Sequence, residues 1–576
     1  MPEVVTFPLP NFENASSSTA RGGLTINENV AEHPVESMVE PLFDNVVDPP
    51  IVAEVAQPDE SVKQIHVRSS TIMELPNIFS SFTLMASFLF LFLLFKIVKT
   101  WTTSKYSNPN SPPGPWRLPF IGNIHQIISS PMPHHSFKTL AQKYGPMMYL
   151  KLGEVPYIIV TSPEIAKEVM KTQDLNFCDR PNLMLSTIFS YNNTDILFSI
   201  YGEHWRQLRK ICVIELLSVK RVQSFGSIRE EEVADLVKSI SANEGLVVNL
   251  THQIFSMTYG IVARAAFGKR SKHQQVFKSA ITEIINMVGG IYIADLYPSI
   301  KMLRRMSKAK TRIEKLHRKI DMILQDIIND HKSIHKKDGK DEDLVDALIK
   351  IQQENDQSQP TLTDDNMKSL IQDMFAAGTE TTSGVLLWGM SELVKNPKVM
   401  EKVQGEVRKV FDKKGSVVDE SGLHQLIYLK CVIKETLRLH PIAPLLAPRE
   451  CRERCQINGY EIPAKTRVIV NAWAIGRDPR NWVEAESFKP ERFLNNPIDF
   501  KGTDYEYIPF GAGRRMCPGI AFASPNVELP FAKLLYHFDW KLPNEMKNKE
   551  IDMTETFGLT VGRKHDLCLI PITRCL

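Results

Sequence analysis

The chain has 576 residues, 43% of them hydrophobic, and a formal net charge of +3. That length can bury a large core, and charges of both signs are mixed throughout, leaving no basic stripe of the kind that binds nucleic acid. The eight cysteines are scattered without zinc-ribbon or disulfide-framework spacing, which excludes a disulfide scaffold and fits a reducing, cytosol-facing compartment.

Residues 1–72 are rich in Pro, Ser, Asn and acids, with Arg21, Lys63 and Arg68 as their only Lys or Arg. Such a stretch cannot bury enough apolar area to offset its ordering entropy and is expected to be disordered. It is too acidic for an organellar transit peptide. It reads either as a genuine tail or, by preference, as an extension upstream of a start at Met73.

Residues 73–100 hold a candidate membrane anchor. Ile78 to Phe95 is an 18-residue apolar run whose only polar members are Ser and Thr. A bilayer core takes about 20 residues of helix, with a range of about 17–25, and the run lacks the polar face of a soluble helix. Lys96, Lys99 and Lys105 follow it, while the segment before it is acidic. That asymmetry predicts a single-span anchor with the bulk of the chain in the cytosol. Residues 101–123 form a basic, proline-rich hinge, in which Pro112-Pro113-Gly114-Pro115-Trp116 favours stiff, extended backbone.

The globular domain spans residues 124–576. Lys151 to Thr161 has β-type content, and Ser162-Pro163 then caps a helix. Helical patterns dominate from there, with short strands at Arg467–Val470 and Cys568–Ile572. The fold class is mainly α with a minor β part.

Trp205 and Arg209 stand four apart and share a helix face; alone they read equally as a packed tryptophan under a surface arginine. Thr363 is an N-cap with Asp364 and Asp365 in the first turn, opening a helix that runs to Asn396 before Pro397. At about 1.5 Å per residue it is about 48 Å long. Its middle, Ala376-Ala377-Gly378-Thr379-Glu380-Thr381-Thr382, is a poor helix former, the glycine alone costing about 1 kcal/mol against alanine. A weak spot in so long a helix points to function, or to tight packing with threonine back-bonding. Glu435 and Arg438 stand three apart on a helix running into His440-Pro441, a pair that alone says little.

Phe510 to Gly519 reads Phe-Gly-Ala-Gly-Arg-Arg-Met-Cys-Pro-Gly. Its glycines let the backbone turn and lie against something flat. Pro518 suits a first helical position, and the N–H groups that follow, with Arg514 and Arg515, favour a thiolate at Cys517. A lone cysteine is usually a small core residue; a low-pKa thiolate beside a flat surface is what a haem iron takes as a sulfur donor.

Phe510, Gly513, Arg515, Cys517 and Gly519 match the spaced signature F-x-x-G-x-R-x-C-x-G, and from about Met73 to the C terminus the chain resembles a cytochrome P450. The resemblance implies the cytochrome P450 fold, haem b (iron protoporphyrin IX) with Cys517 as axial ligand to the iron, and monooxygenase chemistry with O2. Under it Gly378, Glu380 and Thr381 match A-G-x-E-T-T: the glycine leaves room for a diatomic ligand, the threonine offers a hydroxyl, and the acid brings protons from solvent. Trp205, Arg209, Arg449 and Arg515 look like partners of the haem propionates. Arg492, within Phe488-Lys489-Pro490-Glu491-Arg492-Phe493, resembles the third member of a cluster with Glu435 and Arg438 whose value is positional.

Two electrons must come from elsewhere, because Gly511-Ala512-Gly513 lacks the third glycine of a dinucleotide fingerprint. By resemblance the donor is a membrane-bound, NADPH-dependent cytochrome P450 reductase, which carries the flavins. Leu185, Ile188, Phe189, Ala377, Ala443, Leu445, Leu446, Phe557 and Leu559 resemble the lining of an apolar substrate pocket. Tyr536-His537-Phe538-Asp539-Trp540 and Pro448-Arg449-Glu450-Cys451-Arg452-Glu453 resemble plant family 71, subfamily D. That implies an endoplasmic reticulum membrane protein hydroxylating a hydrophobic specialised metabolite: a terpenoid first, with flavonoid or alkaloid substrates as alternatives. A membrane-tethered haem binder without turnover is the distant alternative, and it would have no use for the Glu380–Thr381 pair. Two positions depart from the pattern. Pro525 stands where alanine is usual and removes a backbone bond to Ala521, and Ile200 replaces a proline before Tyr201-Gly202.

Overall fold

The computed structural model describes residues 110–128, 130–268, 274–333, 342–354 and 362–574, with a helical stretch at 83–92 and 94–95 and a short strand, Val4–Val5. The expected acidic extension (1–72) lies outside the described residues apart from that strand, and the expected anchor and hinge lie partly outside them. The chain divides into two units, Pro10–Thr102 and Thr103–Leu576 with Met1–Leu9. In the first, the described helical residues expose Leu84, Met85, Phe88, Leu89 and Phe90. No helix among the described residues is long and apolar enough to cross a membrane.

The larger unit is mainly helical with small sheets. Helix α1 (Pro133–Tyr144) leads into the antiparallel hairpin β1 (Met147–Leu152) and β2 (Val155–Val160). Ser162 then accepts a bond from the Ile165 N–H and caps a short helix at Pro163. Further along come α2 (Glu203–Lys210), β3 (Val248–Asn249) and α3 (Leu250–Phe267). The long helix is α4 (Asp364–Lys395), followed by α5 (Ile427–Leu439), β4 (Arg449–Glu450) and β5 (Arg467–Val470). Helix α6 (Ile520–His537) precedes β6 (Phe538–Lys541), β7 (Glu555–Phe557), β8 (Val561–Arg563) and β9 (Cys568–Thr573). One sheet has the order β1-β2-β5-β4, with β2 and β5 parallel; another is β6-β9-β3; β7 and β8 pair as a hairpin.

Helix α4 is the spine. Its start is set locally: the Thr363 hydroxyl accepts from the Asn366 N–H while the Asn366 side chain accepts from the Thr363 N–H, a reciprocal cap. At the other end Asn396 leaves helical geometry and Pro397 begins a new helix. From Thr382 to Val394 every residue is buried, the condition in which a helix needs no polar face. Helix α3 packs along it, and α5 and α6 also pack against it. Trp388 stacks flat on His440, ring centroids 4.3 Å apart, locking α4 to the segment that leaves α5.

Helix α6 runs unbroken through Pro525 and Pro530. Neither proline has an N–H to give, so the carbonyls four residues earlier, at Ala521 and Asn526, forgo their helical bonds. Packing holds the helix instead: Leu529, Phe531, Ala532, Leu534 and Leu535 are fully buried. Ile200 is exposed and lines nothing described below.

Candidate active site

A cavity of about 730 Å3 opens between α4 and the start of α6, and its lining includes Gly378, Glu380, Thr381, Cys517 and Phe522. The loop before α6 is held by its own backbone: the Cys517 N–H donates to the Phe510 carbonyl at 3.0 Å and Met516 to Gly513 at 3.0 Å. Gly513 has φ +71°, and a Cβ there would run into the Met170 carbonyl, so both conformation and space demand glycine. The helix begins at Ile520, two residues later than the expected start at Pro518. The one N–H aimed at the sulfur is that of Gly519, 3.4 Å from Cys517 Sγ.

Burial pushes the Cys517 thiol up; the Gly519 N–H and the Arg209 guanidinium pull the other way. Arg514 and Arg515, expected to favour the thiolate, are engaged elsewhere. Arg514 pairs with Asp174 at 3.2 Å, and Arg515 donates to the carbonyls of Cys178, Ile196 and Ser199. Long side chains reach the partners that topology supplies, not those adjacent in sequence.

Trp205 donates its indole N–H to the Ile196 carbonyl at 2.9 Å and lies under Arg515, whose guanidinium is 4.4 Å from its ring centroid. Arg209 lines the cavity. Arg449 is buried, paired with Asp174 at 3.0 Å and bonded to the Ala512 carbonyl. Sequence reasoning missed Arg180, a fully buried cation that donates to the carbonyls of Leu197, Ala447 and Pro448. Its one sequence signal is a charged pair, Asp179-Arg180, set between the apolar Phe177-Cys178 and Pro181. Burial first, then Arg515 and Arg449, depress the Arg180 pKa, and Arg449 in turn depresses that of Arg515.

The cavity wall therefore carries four guanidiniums, Arg180, Arg209, Arg449 and Arg515. Arg209 makes no hydrogen bond or ion pair among the described residues, and Cys517, whose Sγ accepts only from the Gly519 N–H there, is near enough to act on its charge. Mutually repelling buried cations want an anionic guest, and Arg forks suit carboxylates. A macrocycle with a thiolate-seeking iron and two propionates meets both demands, so the residues fit haem.

On α4, a Cβ at Gly378 would press on Val262 of α3 at 3.0 Å and reach Phe522 at 3.6 Å. The first demand on this glycine is close helix approach. The Thr381 hydroxyl donates to the Ala377 carbonyl at 2.5 Å, the i−4 bond open to a helical threonine. Glu380 lies one residue away with its carboxyl buried beside Thr560. Burial raises its pKa, and Oε2 has no partner.

Glu435, Arg438 and Arg492 meet. Arg438 grips Glu435 with two bonds of 2.7 and 2.8 Å, and Arg492 Nε donates to the same carboxylate at 3.0 Å. Arg438 also donates to the carbonyls of Gly476, Ala485 and Ser487, so one buried cation ties α5 to three turns of the segment leading to the cysteine loop.

Of the expected pocket residues, Phe189, Ala377, Ala443, Leu446 and Leu559 line the cavity. Leu185, Ile188, Leu445 and Phe557 do not. Leu185 is buried in the main core and Ile188 packs against it. Leu446 has φ +51°, which turns it toward the cavity while Leu445 packs against the β1–β2 core. The Phe557 ring stacks near His134, 6.1 Å between centroids. Asp373, which the sequence did not flag, lines the cavity and accepts from the Ile196 N–H at 2.9 Å. It shares its buried surroundings with Asp195: burial raises both carboxyls, and the Asp195 charge raises that of Asp373 further.

Comparison with known proteins agrees with this site. The family model "Cytochrome P450" matches residues 112–569. The chain is 60% identical to cytochrome P450 71D10 of Glycine max, over 87% of this chain and 99% of that one. It is 52% identical to tabersonine 16-hydroxylase 2 of Catharanthus roseus, covering 84% and 96%, and 49% identical to premnaspirodiene oxygenase of Hyoscyamus muticus, covering 85% and 98%. Among solved structures, a zebra fish cytochrome P450 with progesterone is similar at TM-score 0.66 and 25% identity, covering 77% of this chain and 99% of that one. With the thiol, the arginine-lined wall and the acid–alcohol pair all facing one cavity, the chain belongs to the cytochrome P450 family, within plant family 71, subfamily D.

Proposed function

We propose that this haem-thiolate monooxygenase hydroxylates a terpenoid. Haem b, when bound, activates O2 with electrons from a redox partner and inserts one oxygen atom into a C–H bond of a hydrophobic substrate. The observation that carries the reading is the single cavity shared by Cys517, the Glu380–Thr381 pair and apolar side chains such as Phe189, Val262 and Leu559.

Each protein group has a part. Cys517 would supply the sulfur that holds the iron, and the Gly519 N–H would temper its charge. Arg180, Arg209, Arg449 and Arg515, which line the cavity, would hold the propionates, with Trp205 stacked beneath Arg515. Glu380, whose carboxyl pKa burial raises, stands at the cavity wall as the proton carrier. The Thr381 oxygen, one residue on, passes that proton toward the reacting centre. The Glu435–Arg438–Arg492 cluster fixes the segment beneath.

The electron donor is a membrane-bound NADPH-dependent reductase. The run Ile78–Phe95, followed by Lys96, Lys99 and Lys105, anchors the chain by a single span in the endoplasmic reticulum membrane with the catalytic domain facing the cytosol. Among the relatives, premnaspirodiene oxygenase favours a terpenoid substrate; tabersonine 16-hydroxylase favours an alkaloid as the second reading. Co-expression with a plant reductase and a panel of terpenoid, alkaloid and flavonoid substrates, read by mass spectrometry, separates them. The expected product is a terpenoid carrying one added oxygen. Turnover confined to the alkaloids or flavonoids would replace the substrate assignment.

A further inference from the structure

Away from the haem cavity, α1 and the β7–β8 hairpin meet at a cluster that the oxidation chemistry does not use. His134 and His135 stand side by side in the first turn of α1, and Glu555 opens β7. Glu555 Oε2 lies 2.9 Å from His134 Nε2 and 3.1 Å from His135 Nε2. The three atoms all lie within 4.8 Å of one another. His134 is buried, Glu555 nearly so, and His135 is 44% exposed, so the cluster is enclosed on one side and reachable on the other.

The rings are held in place. Trp473 stacks on His135 at 4.3 Å and meets His134 edge-on at 5.0 Å. His135 Nε2 is buried and points at the carboxylate without an aligned hydrogen bond. His134 Nε2 donates to the Glu555 carboxylate at 2.9 Å while Nδ1 has no partner, so an arriving cation has to send that proton to Nδ1 to take the Nε2 lone pair. Burial keeps the His134 imidazole neutral; Glu555, despite its own burial, is held ionised by the two rings beside it. Arg477, whose charge bears on His134, is engaged with Glu486 at 3.0 Å and with the Leu439 carbonyl.

Two imidazoles and a carboxylate converging on one point are the donor set that borderline divalent ions select. Tetrahedral coordination at about 2.0–2.2 Å puts ligand atoms about 3.3 Å apart. The contacts of 2.9 and 3.1 Å need only a few tenths of an ångström of adjustment. We propose that His134, His135 and Glu555 bind a divalent transition metal of the zinc class, with water completing the tetrahedron. The ion clamps α1 to the hairpin whose connecting residues, Leu559 and Thr560, line the substrate cavity.

The test is calorimetric titration of EDTA-stripped holoenzyme with zinc chloride. One tight equivalent is expected in the wild type, with none for magnesium chloride. His135→Ala and Glu555→Gln should each weaken that equivalent by about tenfold or more, the loss typical of a removed ligand or its support. The half-exposed position of His135 makes its variant the one that keeps the fold, and an unchanged carbonyl-difference spectrum checks haem retention. Zinc-edge absorption of the loaded protein should report two imidazole nitrogens and oxygen neighbours. Absence of a tight equivalent in the wild type, or the same zinc affinity in both variants, overturns the site.

Discussion

Cys517 and Thr381 carry separable burdens. Cys517→Ser replaces a soft sulfur by a hard, reluctantly ionised oxygen, so the variant should lose the red-shifted Soret band of the reduced carbonyl complex, read in a difference spectrum. Retention of that band would remove the ligand assignment. Thr381→Ala deletes only a hydroxyl whose bond is to the helix's own carbonyl at Ala377, so haem content should hold. Proton delivery should suffer instead: product per NADPH is expected to fall by about tenfold or more, with peroxide rising to match. An unchanged product-to-NADPH ratio would take Thr381 out of the relay. These two residues were legible because their chemistry is written in short, fixed spacings. Arg180 was not, since its meaning comes from carbonyls at Leu197, Ala447 and Pro448, one of them 17 positions away and two more than 260.

Helices show the same divide between local and distant instruction. The start and stop of α4 were readable because Thr363, Asn366 and Pro397 act within one turn. The start of α6 was set two residues early, because Pro518 satisfies a first-turn preference that the loop geometry overrides. Leu445 and Leu446 are alike in sequence and differ in fate through one positive φ, which no apolar pattern encodes. For the charged cluster the energetic argument is firmer than the sequence one. Glu435 and Arg438 are both fully enclosed, so Glu435→Ala would strand a cation with only carbonyls for company. Breaking such a pair costs about 3–5 kcal/mol. Thermal denaturation of the holoprotein should drop accordingly and haem should leak on gel filtration; a midpoint within a degree of the wild type would show that the cluster contributes nothing.

For the whole molecule, pH is the revealing variable. Asp195 and Asp373 are buried together, and burial pushes the Asp195 carboxyl up to about 7. A carboxyl raised in the folded state binds its proton there more tightly than in the unfolded chain. Its contribution to stability is full below the ordinary aspartate range and is lost as pH rises toward about 7. Asp195→Asn keeps an acceptor for the Phe198 and Ser199 N–H groups while removing the titration. Between about pH 4 and 7, the span of that linkage, the variant's melting temperature should fall less steeply than the wild type's. Parallel curves would mean that the pair is not strained at neutral pH.

Helix α6, with two of its own bonds forgone at Pro525 and Pro530, has a bearing on how the enzyme is made. Alone it is a poor helix, and it can take shape only once its neighbours are there to press on it. The cysteine loop hangs from its first turn, so the address of the sulfur is only as firm as the packing that presses on this helix.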